Sequence, residues 1–189
     1  MSSARVVLVH GFNAEPASHW FPWLVETLGA EGVEVSVPAL PTPDAPVPEE
    51  WIEAAVAAIG VPDERTVVIG HSIGCYTALR ALDRIPGDWR LGGLVLVGGF
   101  ARPLESTNPA LIPFFGQTPD YRGIVERTGF RTVLYSDSDA IIPAELSIEL
   151  ADLLDASAEE VPGAGHFTSA SGVTSSPQVA AAVRSALQA

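Results

Sequence analysis

Gly70-His71-Ser72-Ile73-Gly74 directly follows the apolar run Thr66-Val67-Val68-Ile69 and opens a segment with helical periodicity, Cys75-Tyr76-Thr77-Ala78-Leu79-Arg80-Ala81-Leu82. This context reads as a nucleophile elbow, in which a serine sits on a sharp strand-to-helix turn and flanking glycines avoid collisions with neighbouring backbone. Ser72 would then be lifted out of a sheet, with the N–H of Ile73 facing a developing oxyanion. The simpler alternative for Ser72 is a glycine-flanked helix cap without chemistry.

A serine of this kind needs an acid and a histidine, in that chain order. The acid falls in Arg131-Thr132-Val133-Leu134-Tyr135-Ser136-Asp137-Ser138-Asp139, a strand pattern and polar turn ahead of Pro143 at a helix start. Asp139 is the preferred acid, and Asp137 is read as a turn residue bonding its own backbone. The histidine is His166, in the glycine-rich loop Val161-Pro162-Gly163-Ala164-Gly165-His166-Phe167. The serine hydroxyl is a weak nucleophile at neutral pH, so His166 would take its proton and return it to the leaving group. Asp139 would hold the ring in the required tautomer, and losing such an acid costs about 10⁴ in rate in serine proteases.

A second oxyanion donor is expected from the loop after the first strand. Val6-Val7-Leu8-Val9-His10-Gly11-Phe12-Asn13 offers the Phe12 N–H there, each such donor being worth about 2.7–4 kcal/mol in the transition state. His10 and His71 are read as buried hydrogen-bonding struts, and His19 as part of a helix start.

Elements able to position these residues are visible. Strand-like runs fall at Val6–His10, Val33–Pro38, Thr66–Gly70, Leu91–Gly98 and Arg131–Ser136, with a weaker one near Glu159–Val161. Helical patterns at Ser18–Leu28, Trp51–Ile59, Ser72–Arg84, Pro143–Leu154 and Ser176–Leu187 lie between or beyond them. This alternation predicts an α/β fold, a three-layer α/β/α sandwich around a mostly parallel sheet of about six strands. Uninterrupted apolar strands such as Leu94-Val95-Leu96-Val97 suit burial on both faces. Ligands of such sheets bind beyond the carboxyl ends of the strands, where Phe12, Ser72, Asp139 and His166 are all expected.

At 189 residues, 47% of them hydrophobic, the chain is expected to be one domain, residues 1–189. Ten basic against twenty-three acidic residues give a net charge of −13, and all ten are arginine. Without lysine there is no Schiff base, Ser-Lys dyad or phosphate-binding P-loop. An acidic chain without a basic stripe repels phosphates, so no nucleic-acid partner is expected. The single cysteine, Cys75, rules out an internal disulfide and is read as small-residue packing; no His/Cys pattern matches a metal site, and no cofactor is implied. The first strand begins too early for a signal peptide and no apolar run reaches spanning length, so a cytoplasmic enzyme without a membrane partner is expected. The proline-rich run Pro38–Pro48 is read as a stiff connection within one sheet.

Together Val9-His10-Gly11, His19-Trp20-Phe21-Pro22-Trp23-Leu24, Leu40-Pro41 followed by Trp51, Gly70-His71-Ser72, Ser138-Asp139 with Pro143, and Gly165-His166-Phe167 resemble the small serine hydrolases of the α/β-hydrolase superfamily grouped with retinoblastoma-binding protein nine. The resemblance runs nearly end to end. It implies a catalytic Ser72, Asp139 and His166 in a minimal fold without a large inserted lid, and it implies no particular substrate. Two departures stand out: Ala140 follows the acid where the family often has proline, and the namesake's retinoblastoma-binding cysteine motif is missing, so no such partner is expected.

Residues 100–129 form the longest connection and carry Phe114 and Phe115. A small cap over the sheet edge and simple core packing are both open readings of it. With Phe12, Trp20 and Phe167 nearby, a narrow apolar pocket lined by Phe12, Trp20, Phe114, Phe115 and Phe167 is expected, suited to small esters or related acyl substrates. The main alternatives are a catalytically silent binding module on the same fold, and lyase or haloperoxidase-like chemistry using the same residues.

Overall fold

The computed structural model describes residues 3–189. Six parallel strands form a single sheet: β1 (Arg5–Val9), β2 (Glu34–Ser36), β3 (Thr66–His71), β4 (Leu91–Val97), β5 (Thr128–Tyr135) and β6 (Ser157–Glu160), in the order β2-β1-β3-β4-β5-β6. The central strands are aliphatic throughout because both faces are covered, and β3 is buried at every position. The helices are α1 (Phe21–Gly29), α2 (Pro48–Ile59), α3 (Ile73–Arg84), α4 (Tyr121–Arg127), α5 (Ala144–Leu153) and α6 (Pro177–Gln188), with 3₁₀ segments at Pro109–Gly116 and Ser169–Ser171.

Strand order decides which face each helix covers. From β1 the chain steps one way to β2, then back across β1 to β3 and onward in that direction. Because crossovers keep one hand, reversing direction moves the helix to the opposite face. Accordingly α1 and α6 pack in one core, with Leu24, Leu28, Val179 and Val183 against Val6, Leu8, Ile69 and Val95. The second core places Ile52, Ala55, Leu79, Leu82 and Leu150 against Val7, Val68, Leu94 and Val133. The reversal lies between β1 and β3, and such a switch point leaves a crevice above the strand ends.

Local signals account for the ends of several elements. Pro48 stands at the start of α2 with Glu49 and Glu50 in its first turn, where acidic groups complement the helix dipole. Gly60 ends it at φ 58. The helix α3 is buried on nearly all sides because it lies between the sheet and the flanking α2.

Several boundaries differ from those expected: α1 begins at Phe21 rather than Ser18, α2 at Pro48 rather than Trp51, and β2 is confined to Glu34–Ser36. The connection after β4 contains α4, whose Asp120 cap accepts the Gly123 N–H at 3.0 Å, and β5 starts at Thr128 rather than Arg131. Thr128 and Gly129 therefore belong to the sheet. The edge strand β6 runs Ser157–Glu160 and is exposed throughout, so it has no apolar run to announce it. No helix among the described residues is long and apolar enough to cross a membrane.

Candidate active site

Ser72 occupies the turn between β3 and α3 with φ 56 and ψ −129, a backbone conformation unfavourable for a residue with a Cβ. Its neighbours show what holds the turn. A Cβ on Gly70 would lie 2.5 Å from Cys75 Cα, and one on Gly74 would lie 2.3 Å from the Val9 carbonyl oxygen. The elbow is thus pressed against the end of β1. Gly11 serves the same approach from the other side, since a Cβ there would sit 2.9 Å from Ser72 Cβ. The Ser72 N–H donates to the Val97 carbonyl at 2.9 Å, tying the turn to β4.

The Ser72 hydroxyl lies 2.8 Å from His166 Nε2, and His166 Nδ1 lies 2.7 Å from Asp139 Oδ2. The second carboxylate oxygen, Oδ1, accepts the N–H groups of Ile141 and Ile142 at 2.8 and 2.9 Å. With Oδ1 occupied, Oδ2 is aimed at the ring, and the side chains of both His166 and Asp139 are almost fully buried. Gly98, at φ 57, passes beside this pair, its hypothetical Cβ falling 3.4 Å from the His166 ring.

The structure separates the two aspartates. Asp137 does not bond its own turn as expected; its Oδ1 accepts the Gly163 N–H at 2.8 Å, and Ser138 Oγ accepts the Gly165 N–H at 3.2 Å. These contacts clamp the loop that carries His166 to the loop that carries Asp139.

The candidate oxyanion donors also converge. Phe12 borders the same cleft as Ser72 and His166, and Ile73 is the first residue of α3, where an N–H has no partner within the helix. Neither N–H takes part in the turn and loop hydrogen bonds of the described residues.

His10 and His71 are buried struts. The Leu40 N–H donates to His10 Nε2 at 3.2 Å, and His10 Nδ1 lies 2.9 Å from the Gly11 carbonyl. His71 Nε2 lies 3.0 Å from the His166 carbonyl oxygen, supporting that loop from beneath. Burial pushes the pKa of both rings down, that of His71 well down, with the nearby His166 adding to the effect on His71. Both are therefore neutral hydrogen-bonding groups at physiological pH. The Cys75 thiol is buried and pushed up to about 12 by desolvation, which keeps it protonated and unreactive.

A cleft of about 430 Å³ opens above Ser72 and His166. Of the five residues expected to line it, only Phe12 does so. Trp20 is fully buried and its Nε1–H donates to the Phe167 carbonyl at 3.1 Å, in the α1/α6 core. Phe167 lies in that core as well, turned inward by a positive φ of 54. Phe114 packs edge-on against Trp51 at 5.5 Å, and Phe115 packs on Tyr76 and Phe100. The apolar wall is made instead by Phe100, Leu104, Leu111, Ile141 and Ile142. Phe100 and the isoleucines closely follow strand ends, a position that could have marked them; nothing local marks Leu104 or Leu111. His19, expected as part of a helix start, also lines the cleft. It precedes α1 rather than starting it, at φ 55.

Known proteins are similar to this chain over nearly its whole length. YdeN of Bacillus subtilis is 37% identical over 93% of this chain and 92% of its own length. Its crystal structure superposes with a TM-score of 0.94 at 34% identity, covering 99% of this chain and 100% of that one. Serine hydrolase RBBP9 of Rattus norvegicus is 25% identical over 88% of each chain. The serine hydrolase family model matches residues 6–185. The protein has an α/β-hydrolase fold and belongs to the serine hydrolase family.

Proposed function

We propose that the protein hydrolyses small, neutral carboxylic esters through an acyl-enzyme on Ser72. The observation that carries this reading is the continuous chain of contacts from Ser72 Oγ to His166 Nε2 at 2.8 Å and from His166 Nδ1 to Asp139 Oδ2 at 2.7 Å, mounted on a strained turn. His166 takes the hydroxyl proton as Ser72 Oγ attacks the ester carbonyl, and Asp139 stabilises the resulting imidazolium. The N–H groups of Phe12 and Ile73 receive the oxyanion. The ester C–O bond then breaks, and the departing alcohol takes the proton from His166. Water repeats the sequence on the acyl-enzyme, releasing the acid and restoring Ser72.

Cleft chemistry supports the substrate class. No Arg, Asp or Glu lines the cleft, and the chain's net charge of −13 disfavours anionic substrates. Phe100, Leu104, Leu111 and Ile142 suit an apolar acyl group, three of them from the 100–129 connection. The limited volume favours short acyl chains.

Intact-mass spectrometry after exposure to a fluorophosphonate tests the nucleophile. One adduct on the wild type and none on Ser72→Ala is expected; a folded wild type without an adduct would turn the reading toward a catalytically silent binding module. Across p-nitrophenyl esters of increasing acyl length, faster cleavage of long chains than short ones would overturn the substrate assignment.

A further inference from the structure

His19 is a cleft residue to which the chemistry above assigns no role. Its Nδ1 accepts the Ser169 backbone N–H at 3.1 Å, with Ser169 Oγ at 3.3 Å. A backbone N–H can only donate, so Nδ1 carries the lone pair and Nε2 carries the proton. The ring is further held edge-on against Phe21 at 5.4 Å and His71 at 5.5 Å, and its backbone sits in a turn with φ 55. Nε2–H has no partner among the described residues. The ring is thus fixed from three sides, with one donor left over at the cleft.

Its location indicates which part of the substrate it meets. The apolar residues Phe100, Leu111 and Ile142 belong to the core beneath α2, α3 and α5, whereas Phe21, on which His19 rests, belongs to the core beneath α1 and α6. The cleft therefore crosses the sheet from the side of Phe100, Leu111 and Ile142 to a side that includes His19 and Thr168, the latter two residues after His166. The leaving alcohol takes its proton from His166 and so departs on the side of that histidine.

We propose that His19 donates a hydrogen bond from Nε2–H to a hydroxyl of the leaving alcohol, making the preferred substrates esters of polyhydroxylated alcohols with short apolar acids. This inference rests on the assignment of Ser72 as the nucleophile. The bond is made to an oxygen other than the one that leaves, so His19 transfers no proton and the covalent steps are unchanged.

The test compares glyceryl monobutyrate with ethyl butyrate. Both pass through the same butyryl-enzyme, so differences in kcat/KM between them arise before it and report contacts to the alcohol. Wild type is expected to prefer the glyceryl ester. His19→Phe lowers kcat/KM for that ester about tenfold, near the upper range for one neutral hydrogen bond, while the ethyl ester changes less than twofold. His19→Gln, which keeps an N–H donor, restores the glyceryl ester to within about threefold of wild type. Parallel loss on both esters in the folded glutamine variant, or no preference in the wild type, overturns the inference. Fluorophosphonate labelling separates the two failures: a labelled Ser72 with no alcohol preference sinks only the role of His19, whereas an unlabelled wild type inactive on both esters sinks the hydrolytic reading with it.

Discussion

Asp137 accepts the Gly163 N–H at 2.8 Å while its neighbour but one, Asp139, reaches the His166 ring at 2.7 Å, so two similar acids hold the same loop by its backbone and by its side chain. Their asparagine variants should separate. Asp139→Asn should lower kcat by about 10³–10⁴, because an amide favours the wrong ring tautomer. Asp137→Asn should keep kcat within about tenfold and lose about 1 kcal/mol of stability with the charge of an exposed hydrogen bond, a drop in Tm of about 2–4 °C for a chain of this size. Steady-state kinetics and thermal melts of both variants check this, and equal activity losses would contradict it.

Ser72 pays for its position in stability. Positive φ costs a residue with a Cβ about 1–3 kcal/mol, and glycine escapes that cost while giving back about 0.4–1 kcal/mol through its freer unfolded chain. Ser72→Gly should therefore melt about 2–6 °C above Ser72→Ala. Both lack the hydroxyl, so the comparison isolates the backbone. Identical melting temperatures would show the turn to be relaxed.

Gly74 meets a harder constraint, since a Cβ would fall 2.3 Å from the Val9 oxygen and 2.5 Å from the His10 oxygen, neither of which can swing aside as a side chain would. Gly74→Ala is expected to lose about 3 kcal/mol or more. Circular dichroism melts should show a Tm lower by at least about 6 °C; a near-wild-type melt would mean that the elbow can move away from β1.

Acid should unfold the protein in a way that begins at its histidines. Burial lowers the folded-state pKa of His10 and His71 below the ordinary 6.5. Below that value the unfolded chain binds protons that the folded chain refuses, so stability is fully present above about pH 6.5 and falls as pH drops toward the lowered values. Each group contributes a slope of up to about 1.4 kcal/mol per pH unit. Chemical denaturation between pH 7.5 and 5 should show this decline, and His71→Gln should make it shallower. An unchanged slope in that variant would remove His71 from the account.

The parts of this molecule most legible in sequence are those governed by local rules. Thr66–Gly70 reads as a strand because a doubly covered strand must be apolar throughout, and the glycines around Ser72 mark a turn that admits no larger residue. Asp139 and His166 were placed by the serine–acid–histidine order and by the loops that carry them, and the structure brings both to Ser72. The cleft lining was less legible, since an aromatic residue in a loop carries no mark of the side of the sheet on which it lands. Trp20 and Phe167 join the core under α1 and α6, and Phe114 is drawn to Trp51, a residue sixty-three positions away in sequence. His19 looked like a helix start because α1 begins only two residues later; its contact with Ser169 spans 150 positions and leaves no periodic trace.

The exposed β6 has a consequence for handling the protein. It pairs with β5 on one side only, so its other side presents unpaired backbone groups along the rim of the sheet. Glu159 and Glu160 stand on that strand, and charged side chains on a free rim discourage another copy from adding its own strand there. Near the isoelectric point of about 4.5 the chain as a whole carries little net charge. Rim-to-rim association, and cloudiness in concentrated samples, should therefore set in as a preparation is acidified toward that point, and fade again when it is returned to neutral pH.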